Sequence, residues 1–331
     1  MVSTTKINWA NADAEYKRGQ QLIKDGDWLE GFKLHELRAL PDLFWGGSAK
    51  FAGARTSFDK TPIWMPGNSV RGRNVIVWSE AGWGDLIQFS RFIPLLKEAG
   101  AAKVTLVYPE FITTFIKRLK GIDLVCQPRD CSNNSYRIKA MSLPYLLMEH
   151  NQLKSYPVER IYGSEGLYRN PDIVVPSRIK PLVGLCWHTE NVSWNMKAKQ
   201  IPAHFIKKFT EKYADQLDFV SLHLDGGFID SKAWHKTADK VQTLDAVISV
   251  DSAIAHCAAS VGVKTINLIG DDSMACWRWY PKGDSTYWYD TMTTVWWDDY
   301  QDWETGLDKA ASYLVQAPIE KKTGRKKKKV I

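Results

Sequence analysis

The chain has 331 residues, 44% hydrophobic and 24% charged, a balance that excludes a disordered polymer and leaves room for two ordinary cores. No apolar run approaches the roughly 18 residues of a membrane span, and Met1 to Trp9 lacks the apolar segment of a secretory signal, so the expected address is the cytoplasm. The net charge of +7 equals the seven cations Lys321, Lys322, Arg325 and Lys326 to Lys329, so residues 1–320 are neutral overall and a basic globular face is excluded.

Residues 12–40 predict a helical hairpin. Tyr16, Leu22 and Ile23, then Trp28, Phe32 and Leu37, recur at helical intervals, and Asp25-Gly26-Asp27 breaks them. From Asn74 the pattern changes to short apolar strands alternating with helices. Val75 to Trp78, Val104 to Val107 and Ile122 to Val125 read as strands, with helices from Leu86 and over Phe111–Leu119. Residues 127–180 are less regular, and Pro171 to Pro181 reads as a linker. The alternation then restarts: strands at Val183–Trp187, Phe219–Leu222, Ala246–Val250 and Thr265–Ile269, helices at His204–Tyr213 and Ser252–Ser260. This order specifies two parallel sheets covered by helices, an α/β fold with ligands beyond the carboxyl ends of the strands.

Three segments fall on those ends. Gly82-Trp83-Gly84-Asp85 follows a strand and opens a helix; its glycines permit close backbone approach, and Asp85 suits either a cap or a general base. Asp251-Ser252-Ala253-Ile254-Ala255-His256 opens a helix of small residues whose free amides suit a phosphate, with His256 on the face of Ser252. Trp187-His188-Thr189, with Lys197 and Lys199, forms a polar loop whose cations would neutralise a diphosphate or stand in solvent. A dinucleotide fingerprint and a P-loop are both missing. Cys126, Cys131, Cys186, Cys257 and Cys276 lack the paired spacing of a zinc site, so no metal is expected. The tryptophans from Trp277 to Trp303 read as a thick aromatic core, or as a platform for a sugar or base.

Together these segments resemble the glycosyltransferase family 9-like proteins, relatives of the heptosyltransferases, of the kind found after tetratricopeptide repeats. The likeness runs through Gly26 to Phe32 with Glu36 and Arg38, Pro62-Ile63-Trp64, and Glu80 to Asp85 with Gln88-Phe89 and Arg91-Phe92. It continues in Ser142-Leu143-Pro144, Gly184 to Trp187, Val250 to His256, Trp277-Arg278-Trp279 and Trp288-Tyr289. It implies a GT-B fold, two Rossmann-like parallel-sheet domains facing a cleft, after a short hairpin similar to such a repeat. The expected boundaries are 1–45 for the hairpin, 46–170 for an acceptor domain, 171–316 for a nucleotide-sugar domain and 317–331 for a disordered basic tail.

The resemblance also implies an inverting, metal-independent transfer with no cofactor, from a nucleotide-diphospho-sugar, a UDP-sugar first. Asp85 would be the base. Gly82, Gly84, Trp187, His188, Lys197, Lys199, Asp251, Ser252, Ala253 and His256 would hold the donor, and Gln88, Trp277 and Arg278 would form an acceptor or sugar platform. Lys199-Gln200 stands where relatives carry Arg-Ser, which keeps the charge and loses the bidentate fork. The lysine-rich tail suits a nucleic-acid acceptor, and related phage enzymes modify hydroxymethylated DNA, which would place the chain in a host cytoplasm. A glycan, lipid-linked or protein acceptor is the alternative. A non-catalytic scaffold that kept the fold is the reading from another class.

Overall fold

The computed structural model describes residues 9–39, 61–107, 110–119, 121–126, 135–150, 166–189, 199–272, 275–299 and 301–315. Helices α1 (Trp9–Asp25) and α2 (Trp28–His35) form the expected hairpin. The chain reverses at Gly26, whose φ of +89° lies in the left-handed region that glycine enters without steric cost. The helices approach closely because Gly31 has no side chain: a Cβ there would lie 2.9 Å from the Ile23 amide nitrogen. The kinship of this hairpin to a tetratricopeptide repeat rests on sequence alone.

The first sheet contains β1 (Asn74–Trp78), β2 (Lys103–Val107), β3 (Leu124–Cys126) and β4 (Ser135–Lys139) in the order β3-β2-β1-β4, all parallel. Its helices are α3 (Trp83–Phe89), α4 (Ile93–Glu98), α5 (Glu110–Ile116) and α6 (Leu143–Glu149). β4 and α6 lie within the stretch read from sequence as irregular. β4 alternates polar and apolar residues at a sheet edge, a weaker signal than the apolar run of the central β1, and Pro144 sits in the first turn of α6.

The second sheet contains β5 (Leu182–Cys186), β6 (Asp218–Ser221), β7 (Ala246–Val250), β8 (Lys264–Gly270) and β9 (Met292–Trp296), in the order β6-β5-β7-β8-β9 and again parallel. Helices α7 (Ala203–Tyr213), α8 (Trp234–Gln242), α9 (Ala253–Ser260) and α10 (Trp303–Ser312) cover it. β7 is buried along its whole length, and its residues alternate between two cores: Val247 faces one, Ala246, Ile248 and Val250 the other. Two Rossmann-like sheets thus make the GT-B architecture.

Strand order explains where a site can form. In each sheet the chain leaves its first strand, builds outward on one side, and returns to the other. The switch points therefore lie between β1 and β4 and between β5 and β7. Diverging connections there leave a crevice at the carboxyl ends. The loop after β1 leads through Gly82 into the first turn of α3 with Asp85, and the loops after β5 and β7 carry His188 and Asp251-Ser252.

One hydrophobic core joins the parts. It runs from Phe32 of the hairpin through Leu86 and Phe89 of α3 to Ala255 of α9, Trp277 and Trp288. Trp277, Trp279, Trp288, Trp296, Trp297 and Trp303 are all buried, so the aromatic cluster is core.

Candidate active site

α3 starts at Gly82, and the carboxylate of Asp85, three residues on, accepts the Gly82 amide at 3.1 Å. This is the capping role allowed by the sequence, and it uses one oxygen, Oδ2. The other, Oδ1, accepts a hydrogen bond from Nη2 of Arg278 at 2.5 Å, across from the second domain. Asp85 keeps 21% of its side-chain surface exposed, so solvent reaches it.

α9 starts at Ser252, whose Oγ accepts the Ala255 amide at 3.4 Å and lies 2.9 Å from Ser249 Oγ. The small residues of α9 admit α3 closely: a Cβ on Gly84 would fall 2.6 Å from Cδ2 of His256 and 3.5 Å from Cα of Ala253. The two helix starts, and with them Asp85 and Ser252-Ala253, therefore face one another. At this point the expected cleft is narrowed to direct contact.

His256 is buried, with Nδ1 sharing a hydrogen bond with Tyr289 Oη at 2.9 Å and its ring stacked 5.5 Å from Trp279. Burial, helped by the charge of Arg278 and opposed by Asp251, pushes its pKa down to about 4. The imidazole is thus neutral at pH 7, and its 3.9 Å approach to Asp251 is not an ion pair. Asp251 is instead paired with Lys199 at 2.6 Å. Burial would raise the Asp251 carboxyl, yet the charges of Lys199 and its neighbours hold it well below the usual range. The same contact raises Lys199 against its own burial, so both partners are ionised.

After β5, the Trp187 amide donates to Nε2 of His223 at 3.1 Å. His188 stacks on His223 with centroids 3.6 Å apart and planes 9° from parallel. Burial, then the neighbouring His188, push His223 down to about 4. His223 was not among the sequence candidates. It follows β6 as His188 follows β5, and the rule that exposed strand ends hold sites would have found it.

The remaining candidates separate. Gln88 is buried in α3, and neither atom of its amide has a partner among the described residues. Trp277 is packed among Phe32, His35, Phe89 and Trp288 and serves as wall. Arg278 reaches Asp85, as given above, with its guanidinium 5.2 Å over the Trp277 ring. Lys197 lies outside the described residues, as do Cys131 and the tail at 317–331. Cys186, Cys257 and Cys276 are free thiols. Among the described residues no cluster of three or more His, Cys, Asp or Glu is grouped to hold a metal ion, and no helix is long and apolar enough to cross a membrane.

Residues 235–296 match the profile of glycosyltransferase family 9 (heptosyltransferase). The chain is a glycosyltransferase, similar over this segment to family 9. The matched segment contains Asp251, Ser252, Ala253, His256, Trp277 and Arg278, while Asp85 and Lys199 precede it. None of the curated proteins matches the sequence. Solved structures do. A family 9 glycosyl transferase from Veillonella parvula DSM 2008 is 12% identical with a TM-score of 0.47, the alignment covering 76% of this chain and 92% of that one. The E. coli heptosyltransferase WaaC with ADP is 9% identical with a TM-score of 0.46, over 72% of this chain and 100% of that one. The iron-containing dodecameric glycosyltransferase TibC of enterotoxigenic E. coli is 13% identical with a TM-score of 0.45, over 77% and 71% of the chains. At such values the likeness says nothing of substrate or metal.

Proposed function

We propose that this glycosyltransferase moves a sugar from a nucleotide-diphospho-sugar to an acceptor hydroxyl with inversion, using Asp85 as general base. One observation carries the reading: a carboxylate with solvent access and the start of a helix of small residues, from separate domains, face each other at two topological switch points. In the proposed step Asp85 takes the proton of the acceptor hydroxyl. The freed oxygen pair forms the new bond to the anomeric carbon, and the old carbon–oxygen bond breaks with its electrons leaving on the diphosphate. The amides of Ser252 and Ala253 would receive that growing charge. A positioned base contributes about 10²–10⁴-fold.

The test is melting temperature against UDP, GDP, ADP and CDP. A ligand at 100 times its Kd adds about 2.7 kcal/mol, several degrees for domains of this size. A shift with one of the four names the donor base; no shift with any removes the donor site from the proposal.

The finer proposal, a nucleic-acid acceptor of the hydroxymethylated type, rests on the lysine run at 321–331, outside the described residues. It expects activity that falls steeply with salt, and a shallower salt slope once that run is removed. Equal slopes for both chains would turn the acceptor assignment to a glycan, lipid-linked or protein hydroxyl.

A further inference from the structure

Arg278 belongs to a short turn, Trp277–Trp279, fastened to the second domain on two sides. The Trp288 indole N–H donates to the Arg278 carbonyl at 2.7 Å, and Trp279 stacks on His256 of α9. The arginine is therefore held beside the start of α9 and reaches across to Asp85 in the other domain. Its fork is only partly used: Nε is buried and has no partner among the described residues. A guanidinium binds carboxylate and phosphate oxygens through the same pair of donors, so the two anions compete for one set of N–H groups.

We infer that Arg278 is a positioning residue that exchanges partners, leaving Asp85 for the diphosphate of the donor and so freeing the base only when donor is bound. The inference rests on the donor site proposed above. Without donor, both carboxylate oxygens are engaged, Oδ2 by the Gly82 amide and Oδ1 by Arg278, and an acceptor hydroxyl must share an oxygen already occupied. With donor, the diphosphate draws the guanidinium to the α9 side of the contact. Oδ1 is then released on the face where the acceptor has to lie, which couples base and leaving group and discourages unproductive attack.

Partner exchange makes a prediction that a fixed structural ion pair does not. If donor must compete with Asp85 for Arg278, then removing the Asp85 charge tightens donor binding through Arg278. Binding of UDP, GDP, ADP and CDP, and of the four matching nucleosides, is measured by calorimetry on the full chain, on Asp85→Asn, on Arg278→Met and on the double variant. The expected result is that Asp85→Asn tightens the bound nucleoside diphosphate by about tenfold, one decade in Kd. In the Arg278→Met background the same change gives no more than about twofold, and nucleoside binding is unaltered in both.

Equal gains in the two backgrounds show only a charge removed near a phosphate and overturn the exchange. An unchanged affinity in Asp85→Asn overturns it too, with the donor site intact. If no nucleoside diphosphate binds the unaltered chain or Asp85→Asn, the donor site fails and this inference with it. Should Arg278→Met not fold, Arg278→Lys keeps the charge without the fork; a gain from Asp85→Asn as large there as with arginine overturns the exchange.

Discussion

Arg38 ties the hairpin to the segment that leads into α3. It is 2% exposed at the end of the hairpin, and it donates to Oε1 of Glu80 at 2.7 and 3.0 Å, to Glu36 at 2.6 Å and to Ser142 Oγ at 2.7 Å. Glu80 stands in the loop between β1 and the helix of Asp85, so this pair fixes the lead-in to the proposed base. Burial raises the Glu80 carboxyl, and the charge and hydrogen bonds of Arg38 pull it back down. Breaking such a pair from one side strands a buried charge, at about 3–5 kcal/mol. Arg38→Met is expected to lower the urea-unfolding free energy by that amount, and Arg38→Met with Glu80→Gln to restore part of it. A loss below about 1 kcal/mol, the level of an exposed pair, would contradict the buried clamp. The sequence placed Arg38 and Glu80 in separate motifs, and nothing local to either signals that they meet. The same holds for Asp85 and Arg278, which are 193 positions apart.

At the scale of elements, what was legible follows from how each element buries its surface. β1 and β7 announce themselves as predominantly apolar runs, Val75 to Trp78 and Ala246 to Val250 with Ser249 the one polar residue, because parallel strands are covered on both faces. Gly82 with Asp85, and Ser252, announce helix starts because the free amides there need acceptors. α8 escaped notice although Trp234, Ala238 and Val241 follow helical spacing, because the buried Thr237 and Gln242 break its apolar stripe. The contact of α3 with α9 was half legible: the small residues were evident, their partner helix was not. Gly84→Ala tests it. The added methyl would meet a ring held by Tyr289 and Trp279, so the helices must separate. Overpacking of this kind costs about 1–3 kcal/mol, and the melting temperature is expected to fall by several degrees. An unchanged melting temperature would mean that the helices part freely.

On the scale of the whole molecule, the domains are tied at several points besides that contact. Arg118 of the first domain donates to Asp239 of α8 at 2.7 Å, and Tyr168, stacked on Phe115, donates its backbone amide to the Ser260 carbonyl of α9 at 2.9 Å. Lys24 of the hairpin lies over the Tyr280 ring, and His35 packs on Trp277. Three histidines are buried, His35 and His256 at these contacts and His223 at the carboxyl end of β6. Burial first, then Arg38, hold His35 well below its ordinary value, and His223 and His256 are pushed down to about 4. The unfolded chain, with histidines near 6.5, binds more protons than the folded one between that pH and about 4. Stability is therefore full above pH 6.5 and is lost as pH falls through this window. Melting temperatures at pH 7 and pH 5 should differ by several degrees in favour of pH 7; equal values would show that these imidazoles titrate normally in the fold.

The hairpin also has a consequence for synthesis. Phe32 is fully covered and meets Trp277 edge to face. On the ribosome, however, the first helices emerge long before the tryptophan that covers them. Roughly 240 further residues must be made, which takes on the order of ten to fifty seconds at about 5–20 residues per second. Throughout that interval the face of α2 that carries Phe32 and His35 lacks its final cover. The nascent chain is then open to capture by holding factors, and the enzyme closes only when its last third arrives.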